Sequence, residues 1–363
     1  MNRKKILFNC VLFFFMASLF SQMNLNEESK KNYRLALESF ENKNYGDALK
    51  YSEFAILYRR QLIEKQIESL KTSLTSRQVQ TAGDEIDSIL EILIERKENV
   101  SVEIIDYYLK RKGIEYFDNS MQKLLTYLQE SLLFPEAQKL IGDIYRLEGE
   151  YDFAETYYLL ALENASVLDI PDQKYEILYL LAQISRLQND FDKMEVRLLN
   201  LLVEDKNFRD KNLISSMKRT IKSSKKGTME KFFTLYRADS YIFIDAYNQL
   251  AEFYYKNQEL SKALEFACLS AITSFSKISE ILEERNLDYE YSTFSKFLQE
   301  ASFYDDVIEW GKTSSAWKSF NILAKYAKEN ECTTFARELL VSLAQFSPVL
   351  YWQKDAVLLL EEM

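Results

Sequence analysis

The side chains that most often do chemistry are missing from this chain, or they sit at spacings that do not suit it. There is no histidine. That removes the common zinc sites, helical His pairs for metals, and every Ser-His or Cys-His nucleophile pairing. No glycine-rich GxxxxGKS/T or GxGxxG loop is present to cradle a phosphate. Carboxylates do come in pairs, at Asp305-Asp306, Glu283-Glu284 and Glu361-Glu362. Acid–base work on one bond needs two carboxylates that converge on it, and adjacent residues of a helix do not face each other. In a chain with 56 acidic residues such pairs are expected on a solvated surface. The expectation is a protein that is not an enzyme and carries no cofactor or metal.

One segment departs from the acidic background. Lys206 to Lys231 holds nine Lys/Arg against Asp210 and Glu230, a local balance of +7 in a chain of net charge −10. Its core is Lys218, Arg219, Lys222, Lys225 and Lys226. Two readings stand: a solvated connection, or a contact patch for anionic lipid head groups or an acidic partner. The basic core lacks interleaved aromatics, and the net charge is negative, so no nucleic-acid partner is expected.

The elements that would carry these residues follow from composition. Only 7 Gly and 3 Pro stand against 24 Tyr and 24 Phe. Few turn formers and many large side chains suit an all-α protein with short connections, not a sandwich or a doubly wound sheet. The first residues read as an export signal, 1–21, with a basic "MNRKK", an apolar "ILFNCVLFFFMASLF" and a cut before Gln22. A retained N-terminal membrane anchor is the alternative. Cleavage removes Arg3, Lys4 and Lys5 and takes the net charge from −10 to −13. Cys268 and Cys332 then remain, and half-buried thiols are expected in preference to a disulfide.

The stretch "LIGDIYRLEGEYDFAETYYLLALENAS", Leu140 to Ser166, shows how the helices are arranged. Ile141, Gly142 and Tyr145 recur at helical spacing, as do Ala154, Tyr158 and Ala161, with Gly149 between the two sets. Small residues sit where two helices of a hairpin must approach. Similar offsets recur at Ala36, Tyr45, Ala48 and Ala55; at Leu181, Ala182, Phe191, Met194, Leu198 and Leu201; at Tyr247, Ala251, Ala263 and Ala267; and at Ala324, Ala336, Leu340 and Leu343. Periodicity further predicts a long helix from near Asp47 toward Leu74, an over-long one from Ser261 to about Arg285, and helices carrying 79–93, 101–112 and 120–133.

These residues resemble the tetratricopeptide repeat family of helical hairpins. The resemblance implies a right-handed α-solenoid, with 22–363 as a single domain and clearer repeats near 32–61, 138–167, 178–207, 247–276 and 320–349. A worn copy is expected around Ser216, Thr228, Phe232 and Leu235. In that family the first helices of successive hairpins line a concave groove. Mapped here, the groove positions are Lys139, Asp143 and Arg146; Tyr179, Gln183 and Arg186; Asp245, Asn248, Glu252 and Tyr255; and Lys318, Asn321, Lys325 and Lys328. Amides, guanidinium groups and tyrosines suit an extended peptide, whose backbone offers donors and acceptors along its length. The other reading of the same residues is the solvated face of amphipathic helices. The expected function is a protein-binding scaffold or adaptor in the bacterial periplasm or envelope. The alternative is a structural subunit of an envelope assembly or secretion complex that touches the membrane through the basic segment.

Overall fold

The computed structural model describes residues 25–76 and 134–363. Among the described residues all regular structure is helical and no strand occurs. The chain divides into two compact units, with the boundary between Asp190 and Phe191. The expected leader at 1–21 and the helices expected at 79–93, 101–112 and 120–133 lie outside the described residues. Helices are numbered below in the order in which the described residues form them.

The first unit contains α1 (25–41), α2 (Tyr45–Ser76), α3 (Pro135–Glu148), α4 (Tyr151–Glu163), a single 3-10 turn at Ala165–Val167, and α5 (Gln173–Leu187). The long helix expected from near Asp47 is α2. Pro135 opens α3 at a position whose N–H has no helical partner in any case. Helices α1, α2 and α3 share a core of Ala36, Ala48, Leu140 and Ile144, with Tyr33, Phe40 and Tyr45 packed on it. Helices α4 and α5 bury Ala154, Tyr158, Ala161, Ile177, Leu181 and Ile184 together.

Gly142 and Tyr158 set the closest approach of α3 to α4. A Cβ on Gly142 would lie 2.7 Å from both Cδ1 and Cε1 of the Tyr158 ring. The ring is fully buried and tethered: its hydroxyl donates to Asp143 Oδ1 at 2.6 Å and accepts from Arg146 Nε at 3.3 Å. Burial, then the Asp143 carboxylate, pushes the phenol pKa up, so it stays a neutral donor.

The second unit runs α6 (Phe191–Leu202), α7 (Lys206–Arg209), α8 (Lys211–Ile221), α9 (Thr228–Leu235), α10 (Ile244–Lys256), α11 (Leu260–Arg285), α12 (Phe294–Ala301), α13 (Asp305–Thr313), α14 (Ala316–Glu329), α15 (Thr333–Phe346) and α16 (Leu350–Glu361). The over-long helix expected from Ser261 is α11. Helix α14 is central and packs against α10, α11, α13, α15 and α16. An aromatic core forms around it. Phe233 stacks on Phe294 with ring centroids 4.3 Å apart, and Phe320 and Phe275 close on the same pair. Such ring pairs add to burial through their quadrupoles. Trp317 is buried with its Nε1 donating to the Ile308 carbonyl at 3.0 Å.

The same turn closes a helix at five places. Lys43, Gly149, Asn189, Gln258 and Glu331 all have positive φ, between 60° and 84°. The next residue's N–H bonds back to the carbonyl five residues earlier: Asn44 to Ser39, Glu150 to Tyr145, Asp190 to Ser185, Glu259 to Tyr254 and Cys332 to Ala327, at 2.8–2.9 Å. This is the Schellman closure, which satisfies carbonyls that the helix end leaves unbonded. The following helix then starts one residue on. In four of the five, an alanine N–H (Ala48, Ala154, Ala263 or Ala336) bonds back to the residue that made the closure. Those four alanines are fully buried, and Met194 takes the same place in α6 at 2% exposure.

Cys268 and Cys332 are free thiols. Cys268 is fully buried on α11, beyond the half-burial expected, and burial raises its pKa well above the ordinary thiol value. Such a thiol is a small apolar side chain and not a nucleophile.

Candidate partner-binding surfaces

The first-helix residues of the first unit divide into a closed set and an open one. Lys139 is largely covered and lies 2.9 Å from both Asp143 on its own helix and Glu176 on α5. Burial pulls its pKa down, but Asp143 and Glu176 together hold it above the ordinary lysine value. Asp143 is buried and spends its other oxygen on Tyr158. Arg146, expected to be open in a groove, is half-buried and bonded to Tyr158. The Lys139–Asp143–Tyr158–Arg146 chain is thus internal structure: it ties α3 to α4 and α5. Tyr179 and Gln183 on α5 are half-buried, and both are engaged with other groups. Arg186, in the last turn of α5, is exposed.

In the second unit the expected groove residues largely pair with one another. Asn248, expected to be exposed, is only 2% exposed. Its amide nitrogen donates to the Ser315 carbonyl at 3.2 Å, and its oxygen accepts from Ser270 at 2.8 Å and from Ser319 at 3.2 Å. The reason is that α10, α11 and α14 converge there, so a face that periodicity marks as polar becomes a buried serine–asparagine network. A network of this kind is tolerated because its members satisfy each other. Asp245 is covered too, and burial raises its pKa against a bond from Ser315 and the charge of Lys318. Glu252 forms an ion pair with Lys318 at 2.6 Å. Tyr255 stacks on Tyr326 with centroids 4.5 Å apart and takes the Lys325 ammonium over its face at 4.7 Å. Lys328 pairs with Glu362 at 2.8 Å. Asn321 is 2% exposed, and neither of its amide atoms is bonded. The Asn321–Lys325 pair is therefore not an open carboxylate clamp.

The basic segment is spread over α7, α8, the connection after it and α9. Lys218 is not a free surface charge: its ammonium lies 2.5 Å from Glu265 and 2.7 Å from the Ser261 hydroxyl, both on α11. Arg219, Lys222, Lys225 and Lys226 are exposed. The expected basic patch is thus four cations, with the fifth holding α8 to α11.

Two features escaped the sequence reading. Helix α16 turns Ala356 and Leu359 inward but leaves Leu350, Tyr351, Val357 and Leu358 between 41% and 67% exposed. These four share one face at i, i+1, i+7 and i+8 spacing. Apolar stripes of this kind mark contact sites when they are contiguous. The second feature is an open cleft of about 900 Å³ between the α8–α9 connection and α15.

No family model matches this chain. An uncharacterised protein of Treponema pallidum (strain Nichols) is 28% identical to it over 321 residues, which is 87% of this chain and 85% of that protein. A match of that length extends into both compact units. Among the described residues no helix is long and apolar enough to cross a membrane.

Proposed function

We propose that this chain is a non-enzymatic scaffold built of tetratricopeptide-like hairpins, stacked as an α-solenoid, that binds a protein or extended peptide in the cell envelope. The observation that carries this reading is the recurring turn. One helix end, one left-handed residue, one Schellman bond and one buried small residue five places after the left-handed one recur at Lys43, Gly149, Gln258 and Glu331. At Asn189 the same turn recurs with Met194 in the small-residue place. Units that repeat a hairpin bury their apolar faces on neighbours and leave long polar faces for partners. Support for a protein partner comes from exposed Arg186 and from the apolar stripe of α16. Arginine and large apolar side chains are the residues that most often anchor such contacts.

The alternative is a structural subunit that touches a membrane through the basic segment. The exposed cations Arg219, Lys222, Lys225 and Lys226 favour it. Fractionation of the native cells separates the two readings. An adaptor is recovered in the soluble envelope fraction after a salt wash, and a complex subunit stays with the membranes. Recovery of the native protein in the cytosol, starting at Met1, would overturn the envelope placement in both.

A further inference from the structure

The cleft beside α15 has an unusual charge arrangement. Four charged side chains line it: Lys226, Glu230, Arg337 and Glu338. The two carboxylates are already committed. Glu338 accepts from the backbone N–H groups of Gly227 at 2.7 Å and Met229 at 3.1 Å, and so closes the start of α9. Glu230 accepts the Phe294 N–H with both oxygens, at 3.1 and 3.0 Å, and the Tyr291 hydroxyl at 2.6 Å. These donors occupy the carboxylate oxygens and stabilise them in place, though each carboxylate keeps its charge. The two cations have no such commitment. Lys226 and Arg337 are exposed, and neither pairs with an acid among the described residues. The hydroxyls of Thr333 and Thr334 and the apolar Val341 complete the wall.

We propose that this cleft binds a phosphate monoester, with Arg337 and Lys226 on the phosphate oxygens, Thr333 and Thr334 as hydroxyl donors, and Val341 against the organic part. A guanidinium fork takes two phosphate oxygens at once and an ammonium serves as a point charge, so the pair matches a doubly charged group. A volume of about 900 Å³ admits a small-molecule-sized ligand. The same phosphate chemistry comes from a soluble ester or from a phosphatidic acid head group. This inference does not depend on the protein-binding reading and is tested without any protein partner.

The test titrates the protein with glycerol 3-phosphate by calorimetry in low salt. In parallel the protein is floated with phosphatidylcholine vesicles with and without phosphatidic acid. One site per chain is expected for at least one probe. Binding should weaken at least tenfold in the Lys226→Gln/Arg337→Gln double variant, equivalent to about 1.4 kcal/mol. Both residues are exposed, so melting of the free variant should not change. Lys225→Gln, exposed but outside the cleft, should bind as the wild type does. Binding of the soluble ester alone identifies a soluble ligand, and binding of the vesicles alone identifies a head group. Neither probe bound at millimolar concentration overturns the proposal. So does an unchanged affinity in the double variant, or a loss in Lys225→Gln equal to that in the double variant, which would mean diffuse attraction to a basic surface.

Discussion

Gly142→Ala is a sharp structural perturbation, because one methyl group meets a ring that cannot easily yield. The added Cβ would lie 2.7 Å from two carbons of Tyr158 and 3.2 Å from Cζ. A ring free to swing would absorb that. This one is fully buried, with its hydroxyl held by Asp143 and Arg146, so a shift of the ring strains both bonds. Overpacking of a fixed core costs about 1–3 kcal/mol. Removing a glycine from a helix interior returns about 1 kcal/mol. The net loss should be up to about 2 kcal/mol, which for a unit of this size lowers Tm by up to roughly 8 °C. Gly46→Ala is the control: it also lies in a helix, but a Cβ there meets nothing within 4 Å. It should leave Tm unchanged or slightly raised. The assay is thermal melting by circular dichroism, with Gly142→Ala/Tyr158→Leu as the double variant that frees the space. Equal Tm changes for Gly142→Ala and Gly46→Ala would refute the packing argument. So would a double variant whose loss is the plain sum of the two singles, since contacting residues must couple.

Further outcomes follow from other places in the fold. Ala154→Asp would bury an unpaired carboxylate at a fully buried position and should cost on the order of 3 kcal/mol or more, read as a large fall in Tm or as insolubility. Lys43→Gly, Gln258→Gly and Glu331→Gly each relieve a left-handed residue at φ near 60° and should stabilise by about 0.5–1 kcal/mol apiece, measured by urea unfolding at constant m. Glu136 is buried, and burial raises its pKa against the bond it accepts from the Asp169 N–H and the charge of Arg59. A carboxyl raised in the folded state destabilises above its folded pKa, and that contribution fades as pH falls toward its unfolded value. Glu136→Gln keeps the Oε1 acceptor without the charge. It should therefore melt higher than wild type at neutral pH, with the gap closing as the solution is acidified; a gap that widens on acidification contradicts the assignment.

How far the sequence could be read depends on what each position responds to. The places where helices touch were legible. Gly142, Ala154, Ala251 and Ala263 must be small whatever surrounds them, and all four are buried. The long α2 and α11 were legible because an uninterrupted apolar period leaves few alternatives. The recurring turn was not, because its left-handed position holds Lys43, Asn189, Gln258 and Glu331 at four of five places and glycine only at Gly149. A search for turn-forming residues passes over lysine, glutamine and glutamate there. The polar faces misled for another reason. Periodicity separates polar from apolar, but it does not see a third helix covering the polar side. Asn248 looks solvated from α10 alone and is buried once α11 and α14 arrive. Lys218 likewise belongs to a basic run in the chain, yet its partner Glu265 lies 47 residues away. The cleft beside α15 was illegible because its two sides are more than 100 residues apart.

The central claim is that the exposed faces of these hairpins hold a protein partner. Quantitative capture from the native envelope fraction, with chemical cross-linking and mass spectrometry, tests it most directly, using wild type and Arg186→Glu side by side. Arg186 is exposed, so its reversal should shift stability by only about 0.5 kcal/mol, and both proteins should melt alike. The account predicts one partner recovered at constant stoichiometry with wild type, cross-linked to α5, and at least tenfold weaker with Arg186→Glu. No stoichiometric partner with wild type, or full capture by a folded Arg186→Glu variant with cross-links confined to other faces, would contradict it.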